Sequence, residues 1–226
     1  MRKPYIVVSC PADTFSGYGA RSRDVLLALI KNNKYDVQVM SQRWGNTPFG
    51  FLKEDNPKHK SIKDRFLPNN QLTRQPDVWI QITVPNEFQK VGKYNIGITA
   101  GIETSFCAAQ WIEGLNRMDL NLVSSQHSKK VFETTNYEKK DQQGNTQQII
   151  KLEKPVDVLF EGVDVEKYFT IDKFSKSDIK TSLDSIKEDF GFLFVGHWLQ
   201  GHLGEDRKNL GLTIKTFLDS FKNKKG

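Results

Sequence analysis

The sequence lacks any apolar run near the ~18 residues that a membrane-crossing helix requires, which excludes a helical span. Its opening, Met1-Arg2-Lys3-Pro4-Tyr5-Ile6-Val7-Val8, has too short an apolar run for a secretory leader and reads as the approach to a first strand. Cysteine is scarce: Cys10 and Cys107 stand alone, with neither metal-type spacing nor a disulfide framework, which fits a reducing cytoplasm. Internal repeats and low-complexity tracts are missing too. The four histidines, His59, His127, His197 and His202, lack the helical register of a zinc motif. His197, His202, Glu205 and Asp206 share a loop, but no thiol joins them and no bound metal is expected. Neither a serine-histidine-acid nor a cysteine-histidine set can be assembled for covalent catalysis.

What is present suits a folded chain. A hydrophobic content of 37% with 11% aromatics supports a globular core, and 226 residues allow one large or two small domains. The net charge of +6 favours anionic partners. Part of that excess sits in Lys222, Lys224 and Lys225, and Lys129-Lys130 and Lys139-Lys140 fall on polar, solvated segments. Base-stacking aromatics are not interleaved with these lysines, so nucleic acid is not indicated. No strongly basic amphipathic helix marks a membrane surface, and peripheral membrane contact stays open.

Short β-rich runs alternate with helical patterns. Tyr5 to Ser9 reads as a buried strand, Ala12 to Gly19 as a loop, and Ala20 to Lys31 as a helix with Val25, Leu26, Leu29 and Ile30 on one face. Asp36 to Met40 follows as a strand, completing a βαβ unit. From Ser41 to Gln75 the pattern fails, leaving either a functional excursion or elements that periodicity does not reveal. Strands return at 77–82, 94–99, 120–123 and 156–160. Trp111, Ile112, Leu115 and Met118 share a helical face, a short helix covers Ser128 to Thr135, and residues 142–146 form a hairpin tip or loop. Asp189 to Gly196 reads as a fresh buried strand, and Leu210 to Phe221 as an amphipathic helix behind the basic loop Arg207-Lys208-Asn209. The expected fold is α/β, Rossmann-like, with a mainly parallel sheet flanked by helices and the first βα unit of a second such domain. The expected boundaries are 1–187 and 188–226.

The residues with chemical potential cluster at strand ends, where open α/β sheets place ligands. Ser16-Gly17-Tyr18-Gly19 follows the first strand; its glycines either let backbone approach a ligand or only make a turn. The third glycine of a dinucleotide fingerprint is missing. Gly101-Ile102-Glu103-Thr104-Ser105 follows a later strand, and its carboxylate and two hydroxyls suit a polyol, unless Glu103 pairs locally. Ser125 is best read as a helix N-cap. Strand, glycine, basic loop and helix at 189–221 form a phosphate-site layout, because helix N-termini and cations favour anions.

In order and spacing, these pieces resemble the N-terminal half of a GT-B glycosyltransferase of the retaining, nucleotide-sugar-dependent group 1 family. The resemblance rests on Ser-Gly-Tyr-Gly-Ala-Arg at 16–21, Gly-Ile-Thr-Ala-Gly-Ile-Glu-Thr-Ser at 97–105, and Trp111 to Asp119 leading to Leu-Val-Ser-Ser at 122–125. Glu-Gly-Val-Asp at 161–164 with Tyr168-Phe169 resembles the exit from the family's first domain. Phe192 to Gly196 and Arg207-Lys208-Asn209 resemble the opening of its donor domain. The resemblance implies hexosyl transfer from a nucleotide-diphosphate sugar to a sugar, lipid-linked or protein acceptor, with no cofactor and no metal. It implies that Gly17 and Gly19 approach the donor with backbone N–H groups, and that Tyr18, Glu103, Thr104, Gly196 and His197 line the donor or acceptor site. Lys208 with Arg207 would neutralise the departing diphosphate, and that phosphate would help deprotonate the acceptor hydroxyl. His197 stands where family members often carry arginine, and no family-typical histidine is found near Glu103 in the sequence. The family's Glu-x7-Glu donor element is expected beyond Gly226, so the portion in hand is expected to be inactive. A non-catalytic α/β module binding an anionic ligand or protein partner is the alternative.

Overall fold

The computed structural model describes residues 2–141, 143–170, 177–196, 201–206 and 208–222. The chain forms two compact units, Met1–Val163 and Asp164–Gly226, a division earlier than the 187/188 boundary expected from the sequence.

The first unit runs β1 (Tyr5–Cys10), α1 (Gly17–Asn32), β2 (Asp36–Ser41), α2 (Pro57–Lys63), β3 (Val78–Ile82), β4 (Tyr94–Thr99), α3 (Ala109–Asn116) and β5 (Leu120–Val123). It continues through α4 (Gln126–Thr134), the strands β6 (Asn136–Lys140) and β7 (Thr146–Lys151), and β8 (Val156–Val158). Six strands form one parallel sheet in the order β2-β1-β3-β4-β5-β8, while β6 and β7 pair antiparallel as a separate ribbon. The α/β Rossmann-like fold expected from the alternating pattern is therefore what the chain adopts.

Burial on both faces explains why β1 is apolar but for Ser9. Tyr5 and Val7 point into a core with Trp79, Phe88, Ile112, Leu115, Met118 and Phe132. Ile6, Val8 and Cys10 point the other way, into a core with Leu26, Val39, Ile62, Ile80 and Ile98. The two-residue period of a strand thus feeds two layers of helices, α3 and α4 on one side and α1 and α2 on the other. Each fully buried aliphatic side chain contributes about 1.5–3 kcal/mol, so these two cores dominate the stability of the unit.

The stretch 41–75 resolves into structure that hydrophobic periodicity could not reveal. Asn56 caps α2 by accepting from the N–H groups of Lys58 and His59, and Pro57 opens the helix with its fixed φ. Before it, the segment 47–52 is strapped to the β1–α1 connection. Asp13 accepts from Gly50 N and Leu52 N at 3.2 and 2.8 Å, Phe51 N donates to Asp13 O, and Phe49 bridges Thr14. Arg23, 8% exposed, donates to the carbonyls of Ala12 and Thr14 and lies 3.5 Å over the Phe51 ring. A buried guanidinium satisfied by carbonyls and an aromatic face holds the loop, with the charges of Asp24 and Asp13 acting on it.

The second unit contains α5 (Ser177–Asp184) and α6 (Leu210–Phe221). The helix expected at 210–221 is present. The strand expected at 189–196 is not: residues 190–196 pair with no strand, and Leu193 and Val195 are 88% and 86% exposed. A strand exists only against a ladder partner, and the described residues of this unit supply none. Phe192 packs instead on Phe217 and Phe221 of α6, with ring centroids 5.6 and 5.8 Å apart.

Candidate functional site

The order β2-β1-β3 reverses direction at β1, and the crevice beyond the carboxyl ends of β1 and β3 is where doubly wound sheets take ligands. Because the six strands are parallel, the connection after each leaves from the carboxyl edge of the sheet, and those after β1, β2, β4, β5 and β8 carry the site residues.

The first turn of α1 begins earlier than the sequence pattern indicates. Gly17, Tyr18 and Gly19 are helical, because Ser16 caps the helix by accepting from Gly19 N at 2.9 Å. The two glycines have different reasons to be glycine. A Cβ on Gly19 would stand 2.5 Å from Thr14 O and 2.8 Å from Thr14 Oγ1, so this residue is a packing glycine. Its N–H is already taken by Ser16 and is not free for a donor phosphate. Gly17 is exposed, a Cβ there would meet nothing within 4 Å, and its backbone faces open space.

Tyr18 is the hub. Its hydroxyl lies 3.0 Å from Thr99 Oγ1 at the end of β4 and accepts from Ala100 N at 3.1 Å. Its ring stacks on Trp44, with centroids 3.9 Å apart and planes at 24°. Burial raises the phenol above its usual range; the bonds to Thr99 and Ala100 oppose that shift, while the charges of Glu161 and Glu103 reinforce it. Tyr18 is therefore a neutral hydrogen-bonding group, not a base.

The β4–α3 loop is anchored from behind. Gly101 has φ +90°, and Ser124 Oγ donates to Ala100 O at 2.7 Å. Ser128 Oγ contacts the carbonyls of Ala100 and Ile102, each at 3.5 Å. Ser125 is the N-cap of α4, accepting from Ser128 N. Beyond this anchor Glu103 and Thr104 are exposed, and Thr104 Oγ1 donates to Phe106 O. His127, at the start of α4, brings Nε2 to 3.3 Å from Thr104 O. After β8, Arg21 of α1 donates to the carbonyls of Leu159 and Phe160. That bond brings Glu161 into electrostatic reach of Tyr18.

The structure thus gathers Gly17, Tyr18, Glu103 and Thr104 at one edge and adds Trp44, His127 and Glu161. A tryptophan flanked by polar residues and glycine, as in Arg43-Trp44-Gly45-Asn46, was the available signal for the first of these. Compared with family models, curated proteins and solved structures, the chain matches none. The site therefore has to be read from its own geometry.

Of the residues expected in the second unit, His197 and Arg207 lie outside the described residues. Gly196 is exposed, and a Cβ there would stand 2.6 Å from the Phe194 ring. Lys208 is exposed, while its backbone N–H donates to Asp206 Oδ1 at 3.0 Å. Asp206, 4% exposed, also receives Leu210 N at 3.5 Å. A carboxylate thus already sits at the start of α6, where the sequence suggested an anion.

Cys10 ends β1 close to this edge, yet burial pushes its thiol up to about 12, against hydrogen bonds from Ser22 and Ala12. Cys107 is likewise buried and raised, by desolvation first. At pH 8 Cys10 is therefore almost wholly protonated, and neither buried thiol is a ready nucleophile or alkylation target. Iodoacetamide at pH 8 is expected to leave both thiols unmodified in the folded protein and to label both in guanidinium. Rapid native labelling of Cys10, read by mass spectrometry, would contradict this burial. Among the described residues, no three histidine, cysteine or acidic side chains converge as a metal set, and no helix is long and apolar enough to cross a membrane.

Proposed function

We propose that this chain carries the acceptor-side domain of a retaining glycosyltransferase that uses a nucleotide-diphosphate sugar. The observation that carries the reading is that its resembling motifs, far apart in sequence, touch one another at one sheet edge. Tyr18 of the first motif bonds to Thr99 and Ala100 of the second. Arg21, also of the first, bonds to the carbonyls of Leu159 and Phe160, just ahead of the motif that Glu161 opens. Exposed Glu103 and Thr104 offer oxygen acceptors to the hydroxyls of a polyol. In the reaction, the bond between the anomeric carbon and the donor phosphate breaks as the acceptor oxygen bonds to that carbon. The acceptor proton passes to the leaving diphosphate. A neutral Tyr18 fits this scheme, because no side chain has to act as base.

A non-catalytic binding module is the second reading, and Asp206 favours it. Its carboxylate takes N–H groups at the start of α6 that a donor phosphate would use.

Titration of uridine and guanosine diphosphate sugars into the full-length protein, with mass-spectrometric detection of transfer, decides between the two. The transferase reading expects binding of one nucleotide class. It also expects Lys208→Ala to weaken that binding by about 1–3 kcal/mol, the worth of one charge-assisted contact. Failure of both nucleotide classes to bind would leave the module reading standing. An unchanged affinity in the variant would remove Lys208 from the site.

A further inference from the structure

We propose that Trp44, carried on the ring of Tyr18, is a stacking platform for a neutral saccharide, whose hydroxyls Glu103 and Thr104 receive. This names the acceptor class and rests on reading the carboxyl edge of the sheet as the acceptor side.

The platform is preorganised. Trp44 is half-buried with one ring face on Tyr18, and the Tyr18 hydroxyl is fixed by Thr99 and Ala100. A ring already held in place loses little conformational entropy on binding. Apolar surface continues on the same connections. Phe15, beside the Ser16 cap, is 55% exposed, and Phe106, whose carbonyl accepts from Thr104, is 64% exposed. Large rings left in water beside polar loops mark a contact surface rather than a core.

Charge selects the ligand. Glu103 and Glu161 both act on the Tyr18 hydroxyl, and among the described residues neither has a hydrogen bond or ion pair. The cation of the α1 turn, Arg21, is spent on two carbonyls. A phosphate, a uronic acid or an anionic lipid headgroup would meet unneutralised carboxylates here. A lipid tail would cover the rings but strip water from the same carboxylates without replacing it. A pyranose satisfies both demands: its C–H face lies on an aromatic ring, and its hydroxyls donate to carboxylate oxygens.

The test titrates maltotetraose, cellotetraose and chitotetraose into the full-length protein by calorimetry, with a hyaluronan tetrasaccharide and phosphatidylglycerol vesicles as anionic probes. At least one neutral tetrasaccharide is expected to bind better than either anionic probe. Trp44→Ala is expected to weaken it about tenfold or more, and Trp44→Phe to recover part of the loss, at unchanged thermal midpoints. The proposal is overturned if no neutral probe binds at about 20 mM, if an anionic probe binds better, or if Trp44→Ala keeps full affinity. Donor turnover, followed in parallel, separates the two readings. Neutral saccharide binding without transfer upholds the platform and sinks the transferase. Transfer only to a non-saccharide acceptor does the reverse.

Discussion

Gly114→Ala is expected to destabilise the first unit by several kcal/mol, for the sake of one added methyl. Gly114 lies in α3 where the helix crosses the turn at 85–87, and a Cβ there would stand 1.8 Å from Pro85 O and 2.4 Å from Pro85 C. Both atoms are backbone, so no side chain can swing aside. The turn is also pinned, because Arg117 donates to Phe88 O at 2.7 Å and to Asn86 O at 2.8 Å. Relief therefore requires α3 to move off the turn as a body. That motion carries Ile112 and Leu115, both fully buried, out of register with Phe88 and Met118. Overpacking costs about 1–3 kcal/mol when the surroundings adapt, and more here, where they cannot, so a loss of about 3–5 kcal/mol is expected. In a unit of this size that lowers the thermal midpoint by roughly 10 °C. Gly17→Ala is the matched control. Its Cβ meets nothing within 4 Å, and it opens a helix, so its midpoint should stay within a degree or two of the parent, about 0.5 kcal/mol. Equal midpoints for the two variants would mean that α3 does not sit on the turn as described.

The contrast between these glycines also indicates what a sequence can reveal. Gly17, Gly19 and Gly114 are the same letter, and only the distance to a neighbour separates an open backbone, a packed loop and a helix crossing. The sheet was legible because its strands are buried on both faces and alternate between two cores, so β1, β2, β3, β4 and β5 each carry a β-rich apolar signature. The segment 41–75 was not legible, because what organises it is polar and long-range. Asp13 captures backbone N–H groups near Gly50, and Arg23 lies over Phe51, with no hydrophobic period to betray either. α2 spans only seven residues, too few for a helical repeat to stand out from chance. The run 189–196 misled in the opposite sense: it has strand composition, but strand formation needs a partner that composition cannot supply. Part of the site followed the same rule. Glu103, Thr104 and Tyr18 were identifiable from their positions after strands. Trp44 became part of the site through a stacked ring 26 residues away in sequence, and His127 through a carbonyl 23 residues away.

Gly101→Ala is expected to damage fold and site together, through two causes that can be separated. The residue has φ +90°, which an L side chain rarely adopts and which costs about 1–3 kcal/mol. Independently, its Cβ would lie 2.1 Å from Ser128 Oγ and 2.3 Å from Ser128 Cβ. Ser128 is buried and meets the carbonyls of Ala100 and Ile102, so it cannot turn away without losing them. The summed cost is about 3–5 kcal/mol. In the double variant Gly101→Ala with Ser128→Gly, the second cause disappears, because Ser128 Cα stands 3.7 Å away, an ordinary contact. The double variant should therefore be more stable than the sum of the single effects by about 1–2 kcal/mol, with the φ strain left behind. Glu103 and Thr104 sit two and three residues beyond the hinge. Saccharide affinity should accordingly fall in the single variant and return only in part in the double. Denaturant titration of the four proteins in the cycle measures the coupling. A coupling near zero would show that Ser128 does not press on Gly101, and the anchoring of the β4–α3 loop would have to be assigned elsewhere. If instead stability recovers in the double variant while saccharide affinity does not, it is the backbone direction at Gly101, rather than the packing behind it, that aims Glu103 at the ligand.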